Sequence, residues 1–215
     1  CYHNLPQGTY MVMEKYSYEQ NKEQELKMLN NVITSTLCWP CFVKPANMGS
    51  SIGISKVHSP EEMVGALNKA FKYDYKAIIE EYIEGREVEC SVLGNNEIKA
   101  SLPGEIKAGH EFYDYEAKYK DQSTDLIIPA RLSDELLKKI RKLAIDAFKA
   151  IDGRGMARVD FFISDGKVLI NEINTIPGFT EYSMYSKLWA VTGIEYGELI
   201  DKLINLALRG DEIIK

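Results

Sequence analysis

No stretch of this sequence stays apolar for the ~18 residues that a membrane-crossing helix needs. Its first residues, CYHNLPQGTYMV, lack the charged-then-apolar order of a secretory leader. The expected location is the cytoplasm. Basic runs are missing too: 26 Lys and Arg against 32 Asp and Glu leave a net charge of −6, which weighs against nucleic acid or an anionic membrane as the main partner. Histidine is scarce, with His3, His58 and His110 each isolated, so the four cysteines have no second ligand pair with which to build a zinc site. Cys38-Trp39-Pro40-Cys41 has redox spacing, but Phe42-Val43-Lys44-Pro45 after it reads as a buried strand, where a thioredoxin-like motif would open a helix. Reduced structural thiols are the expectation. The one Gly/Ser-rich loop, ANMGSSIGIS, is not followed by Gly-Lys-Ser/Thr, so it is not a Walker loop.

What is present suits a globular protein: 215 residues bury a substantial core in one domain or two small lobes. A chain that starts at Cys1 reads like the interior of a longer protein. Apolar spacing predicts a surface helix over 18–33. Strands follow at 42–45 and, through Ile52 and Ile54, beyond the Gly/Ser loop. Ser59-Pro60-Glu61-Glu62 is a helix start, with a Ser cap, Pro at the first helical position and Glu three residues after the cap. Lys76–Tyr82 and REVECSVLG read as two strands paired with each other across Glu84-Gly85, with Val88, Cys90 and Val92 on one face. The polar, aromatic segment from Gly104 to Asp125 has little periodicity, which in a compact domain indicates a functional loop or lid. Ser133 caps a helix with a stripe of Leu136, Ile140, Leu143, Ala144 and Ala147. GMARVDFFISDGKVLINEIN then reads as a hairpin turning at Ser164-Asp165-Gly166, and two amphipathic helices follow, near 184–191 and 196–208. The class is α+β, in two lobes that share a cleft.

The hairpin carries the chemistry. By the period of two, Arg158 and Asp160 share a face, as do Glu172 and Asn174. A one-residue choice of register sets Asp160 opposite Asn171 or opposite Glu172. Where the faces coincide, two carboxylates and an amide oxygen suit Mg²⁺, a hard ion held by one or two carboxylates with waters and substrate phosphates; otherwise they are incidental charges on a solvated face. Lys44 ends a buried strand, where an amine is costly unless it meets an anion or snorkels to the surface. The NMGSSIG segment has small residues whose backbone N–H groups can approach phosphate oxygens. Glu80, Glu81 and Glu87 also fit exposed strand charges. Together a strand lysine, a Gly/Ser flap and an oxygen cluster describe a nucleotide held between two sheets.

At this point FVKPANMGSSIGISKV, IIEEYIEGREVECSVLGN, FYDYEAKY, GMARVDFF and LINEINTIPGFT, in that order, resemble the ATP-grasp domain of the D-alanine:D-alanine ligases and their D-serine and D-lactate relatives. The resemblance covers essentially the whole chain. It implies an ATP-grasp fold of two lobes with antiparallel sheets enclosing a nucleotide cleft. Residues 1–103 would form the smaller lobe with the phosphate flap and adenine strand, 104–127 the lid, and 128–215 the larger lobe with the Mg²⁺ site and second-substrate pocket.

By the same resemblance Lys44 contacts the ATP phosphates, and Ser50 and Ser51 close over the γ-phosphate. Glu80 and backbone groups of Glu81 and Ile83 read adenine, and Glu87 takes the ribose. Lys118 touches the transferring phosphate from the lid, with Tyr119 beside it. Asp160, Glu172 and Asn174 hold two Mg²⁺ ions, for which Mn²⁺ is a substitute. Arg158 and the Gly178 N–H hold the tetrahedral intermediate, while Ser183 and Met184 receive the second substrate's carboxylate. The implied reaction joins two D-alanines through an acyl phosphate for peptidoglycan precursor synthesis, in a cytoplasmic homodimer. D-Alanine:D-serine ligation, or an ATP-binding piece without full activity, is the alternative; Tyr119 resembles the aromatic of dipeptide-forming members, against D-lactate. The departures Glu181-Tyr182 and Ser186 bear on the second substrate. The family's N-terminal domain and a further phosphate-contacting lysine precede the region that this sequence matches.

Overall fold

The computed structural model describes residues 3–49, 51–107 and 125–210. They divide into two compact units, one of residues 8–83 and another of residues 3–7, 84–107 and 125–210.

In the first unit, β1 (Tyr10–Glu14), β2 (Cys41–Pro45), β3 (Ser55–Val57) and β4 (Lys76–Glu81) form an antiparallel sheet in the order β1-β4-β2-β3. Alternation in β2 and β4 buries Cys41, Val43, Ala77 and Ile79 against Met63, Leu67 and Ala70 of α3 (Pro60–Ala70) and against Leu29 of α2 (Lys22–Val32). Each large side chain so buried contributes about 1.5–3 kcal/mol. The helix expected over 18–33 is two: α1 (Lys15–Gln20) ends where Asn21 leaves helical geometry (φ −133°, ψ 42°), and α2 begins after it. Asparagine competes for backbone hydrogen bonds and so favours such breaks. Ser59 caps α3 in extended conformation, with Pro60 next; Glu62 reaches back to the His58 N–H at 2.9 Å rather than to that of Ser59. The helix stops at Ala70.

The second unit holds a six-stranded sheet. β5 (Arg86–Gly94), β6 (Lys99–Ala100), β7 (Gly104–Lys107), β8 (Asp125–Ile127), β9 (Gly155–Ser164) and β10 (Lys167–Asn174) run in the order β10-β9-β5-β7-β8, with β6 on β5. The helix α4 (Asp134–Ala150), capped by Ser133 from Leu136 N–H, lays Ile140, Ala144, Ala147 and Phe148 on Val88, Cys90, Val92, Val159 and Phe161. Two further helices, α5 (Met184–Val191) and α6 (Tyr196–Gly210), stand where their spacing predicts. The β9–β10 turn puts Asp165 and Gly166 at positive φ (49° and 73°), as a two-residue hairpin requires.

Three expectations are corrected. β4 and β5 are not partners: β4 lies between β1 and β2, and β5 between β9 and β7. Gly85 is not a hairpin residue there; a Cβ on it would lie 2.6 Å from the Ile163 carbonyl, so only glycine lets the chain pass. The division therefore falls between Ile83 and Glu84 rather than at residue 103, because the β5 ladder binds that segment to β9. Within the region expected as a loop from Gly104 to Asp125, both ends are strand, paired through Glu105↔Ile127, Ile106↔Leu126 and Lys107↔Asp125; the remainder lies outside the described residues.

Cys38, Cys41 and Cys90 are free thiols; burial pushes Cys41 up to about 11 and Cys90 up to about 12. Cys41 and Cys90 are therefore inert at neutral pH. On the α4 side of the sheet, Arg86 grips Glu105 through two bonds of 2.9 and 2.7 Å and also donates to Arg131 O. The Arg86 hydrogen bond outweighs burial and holds the Glu105 carboxyl below its ordinary range. This stabilisation is complete above the unfolded carboxyl value, about 4.3, and is lost as pH falls through the lower folded value. Glu105→Gln is expected to cost about 1–3 kcal/mol at pH 7 and less at pH 3, read from urea midpoints. An equal loss at both pH values would refute the assignment.

Candidate functional site

Across the sheet from α4, three strands set out a grid. The register aligns Glu89, Asp160 and Glu172 in one row and Ser91, Arg158 and Asn174 in the next. Register was the open question in the sequence, and Asp160 stands opposite Glu172 rather than Asn171. A bulge between Ile170 and Glu172 makes this so: Asn171 is the extra residue, and such an insertion reverses which alternate residues face the core.

Within the grid Arg158 is the hub. Its guanidinium grips Asp160 through Nε–Oδ1 at 2.7 Å and a terminal nitrogen to Oδ2 at 2.8 Å, and Nε lies 3.0 Å from Glu89 Oε2. Burial disfavours its charge, but Asp160, Glu89 and Glu172 more than compensate and raise its pKa above the usual guanidinium value. Asn174 Nδ2 donates to Asp160 Oδ2 at 3.0 Å and to Glu172 Oε1 at 3.2 Å. The amide NH₂ thus lies between two carboxylates.

Among the described residues no three His, Cys, Asp or Glu side chains converge as a ready metal cage, and Asp160 gives both oxygens to Arg158. The donor set nonetheless fits a hard ion: two carboxylates already share one electropositive partner, and the Asn174 amide, turned over, presents its oxygen instead. Sequence reasoning missed Glu89, which is 6% exposed. Its signal was its place at an alternate position with Glu87, opposite in phase to Val88 and Cys90.

Beyond β10, Pro177 and Gly178 lead into a tight turn. Ser183 N donates to Thr180 O at 3.1 Å and Thr180 N to Ser183 Oγ at 3.0 Å. Ser183 opens α5, but its hydroxyl is engaged by Thr180 rather than by a helix N–H. A Cβ on Gly178 would lie 3.4 Å from Ser183 Oγ, so the two meet at this turn. Met184 is buried, its sulfur near Gly104. Ser186 is also buried, whereas Glu181 and Tyr182 are exposed. Glu87 lies on the grid's face, half-buried.

In the other unit, the sheet face away from the helices carries Tyr10, Val12, Phe42, Lys44, Ile78 and Glu80, as the register and burial alternation require. Lys44 meets an anion within the chain: Nζ lies 2.7 Å from Glu80 Oε1, with 19% and 26% of the two side chains exposed. Glu81 bonds Thr9 twice, through its N–H and through its carboxylate at 2.7 Å. Ile83 packs on Gly8. Lys56 Nζ lies 4.2 Å above the Tyr82 ring. Ser51 holds a positive φ of 59°. Ser50, Lys118 and Tyr119 lie outside the described residues.

Comparison with known proteins identifies the family. The family "D-ala D-ala ligase C-terminus" matches residues 2–205. A D-alanine--D-alanine ligase of Halothermothrix orenii is 63% identical over 96% of the chain and 60% of that protein, and one of Bacillus pumilus 51% over 95% and 56%. The chain thus spans about 60% of the length of these relatives. Among solved structures, the VanG D-Ala:D-Ser ligase of Enterococcus faecalis superposes with a TM-score of 0.82 at 35% identity, over 95% of this chain and 58% of that one. A D-alanine-D-alanine ligase of Coxiella burnetii gives 0.79 at 36%, over 98% and 56%. The five motifs, the α+β fold and these matches agree: the chain belongs to the D-alanine–D-alanine ligase family, of which it carries the C-terminal part.

Proposed function

We propose that the protein carrying this chain is an ATP-dependent ligase that joins D-alanine to a second D-alanine through an acyl phosphate. The observation that carries this is the Arg158–Asp160–Glu172–Asn174 grid, which fits a hard cation beside a fixed guanidinium, within a chain 63% identical to a D-alanine--D-alanine ligase. A carboxylate does not acylate an amine in neutral water, because its leaving group would be an oxide. Transfer of the γ-phosphoryl group makes that oxygen a phosphate leaving group, which the amine of the second D-alanine then displaces.

Asp160, Glu172 and Asn174 would hold Mg²⁺, one ion or two and replaceable by Mn²⁺, which supplies positive charge to the phosphoryl oxygens. Lys44, which takes Glu80 as its anion in this structure, binds nucleotide phosphate, and Ser50, Ser51 and Lys118 cover the γ-phosphate. Glu80 reads the base together with Ile83 and, since the Glu81 N–H is bonded to Thr9, the Glu81 carbonyl. Glu87 takes the ribose. Arg158, with the Gly178 N–H, stabilises the oxyanion formed when the amine attacks. Ser183 and the start of α5 at Met184 receive the second carboxylate. Tyr119 and the segment containing Lys118 shield the acyl phosphate from water. A cytoplasmic homodimer acting on peptidoglycan precursors belongs to the same reading; no described helix is long and apolar enough to cross a membrane.

The test is phosphate release by the full-length protein with ATP and D-alanine alone, then with D-serine or D-lactate added. Release with D-alanine alone, and a dipeptide product, is expected. Release only when D-serine is present would replace the reading with the D-alanine:D-serine ligation named for the Enterococcus structure. Bound nucleotide with no release in any arm would refute ligation.

A further inference from the structure

Glu89 has no part in the chemistry proposed above, yet it is among the most buried charged groups of its unit at 6% exposed. A carboxylate taken from water costs several kcal/mol unless it is paired, so its surroundings need an account. Along its row the neighbours are Gly104 on β7 and Asp160 on β9. Gly104 offers no side chain, and the space above it is filled by Leu188 and Met184 of α5. Glu89 therefore sits between the start of α5 and the Arg158 guanidinium.

Its contact with Arg158 differs from that of Asp160. The single Nε hydrogen points to Asp160 Oδ1 at 2.7 Å, while Glu89 Oε2 lies 3.0 Å from the same nitrogen as an ion-pair partner. Two carboxylates thus flank one guanidinium, and one of them, Asp160, also belongs to the cation-binding set with Glu172 and Asn174. A cation there competes with Arg158 for the Asp160 oxygens. Glu89, one strand further from Glu172, is outside that competition.

We infer that Glu89 is a positioning residue: it holds the Arg158 guanidinium in place when the oxygens of Asp160 are given to a cation. The inference rests on the ligase reading for its kinetic consequence but not for its structural one, and the experiment separates the two. In the full-length protein, the Arg158 Nε–H is followed by ¹⁵N NMR, assigned through Arg158→Lys, while Mg²⁺ alone is added. In the unaltered protein the signal is expected to shift as Asp160 is drawn away and to stay protected from solvent exchange. In Glu89→Gln it is expected to lose protection on adding Mg²⁺, and in Glu89→Asp to keep part of it.

In turnover, Glu89→Gln is expected to lower kcat by about 10–100-fold, as loss of an outer partner does, with KM for ATP unchanged. Combined with Arg158→Lys it should add little, because both changes act through one guanidinium. A protected Arg158 signal in Glu89→Gln with Mg²⁺ present would overturn the inference, as would losses that add fully with those of Arg158→Lys. If the unaltered protein releases no phosphate with D-alanine, the ligase reading fails while the NMR outcome still decides the role of Glu89.

Discussion

Replacing Arg158 is expected to have the largest effect of any single change in the second unit. Arg158→Ala removes a cation that contacts both Glu89 and Asp160, two largely buried carboxylates opposite each other across β5 and β9. Breaking a buried pair in this way costs about 3–5 kcal/mol. A fall in thermal midpoint follows, measured by calorimetry on the full-length protein. Arg158→Lys separates this structural cost from function, since an ammonium keeps the charge but cannot form the two-bonded fork on Asp160. This variant is expected to remain folded while turnover falls by about 10²–10³-fold, the usual loss when an oxyanion donor is removed. Near-normal phosphate release by a folded Arg158→Lys protein would remove Arg158 from the chemistry.

Glu172→Gln should act in the opposite way, sparing the fold and weakening the metal. Glu172 is exposed at the end of β10, so its loss should change stability by no more than about 0.5 kcal/mol. It also supplies one of two carboxylates to the proposed cation, and the glutamine amide that replaces it binds a hard ion poorly. The Mg²⁺ concentration that half-saturates ATP use is expected to rise at least about tenfold. Direct Mn²⁺ binding, followed by electron paramagnetic resonance without nucleotide, should weaken in parallel. An unchanged Mg²⁺ requirement would place the ion elsewhere. The two variants therefore divide the grid into a part that holds the sheet together and a part that holds the ion.

The sequence made the second half of the chain legible because local signals there are strong and agree. The α4 stripe, the Ser133 cap, the Asp165-Gly166 turn and the Val88-Cys90-Val92 face each follow from a period that neighbouring residues alone establish. The partner of β5 was not legible. Glu84-Gly85 looks like a turn between paired strands, and only the approach of Ile163, some eighty residues later, shows why glycine is required. β1 was missed because its five residues include exposed Tyr10 and Val12, and no apolar run announced a strand. For the site, Asp160, Glu172 and Asn174 were legible as a set, but register was not. Glu89 was invisible for a plain reason: a glutamate alternating with core residues looks solvated until α5 covers its edge of the sheet.

The bulge in β10 has a consequence for how the strand tolerates change. Strict alternation would place Glu172 and Asn174 in phase with Val168 and Ile170, under α4. Asn171 breaks that phase, so one continuous strand packs under α4 with its first half and presents the proposed ion-binding face with its second. It is also the slack link of the strand. Removing Asn171 restores a regular ladder in which both halves keep their faces, whereas removing one residue on either side of it turns a core residue outward or turns Glu172 and Asn174 inward. Length is therefore negotiable at a single position of this strand, the boundary between the part packed under α4 and the part that carries Glu172 and Asn174.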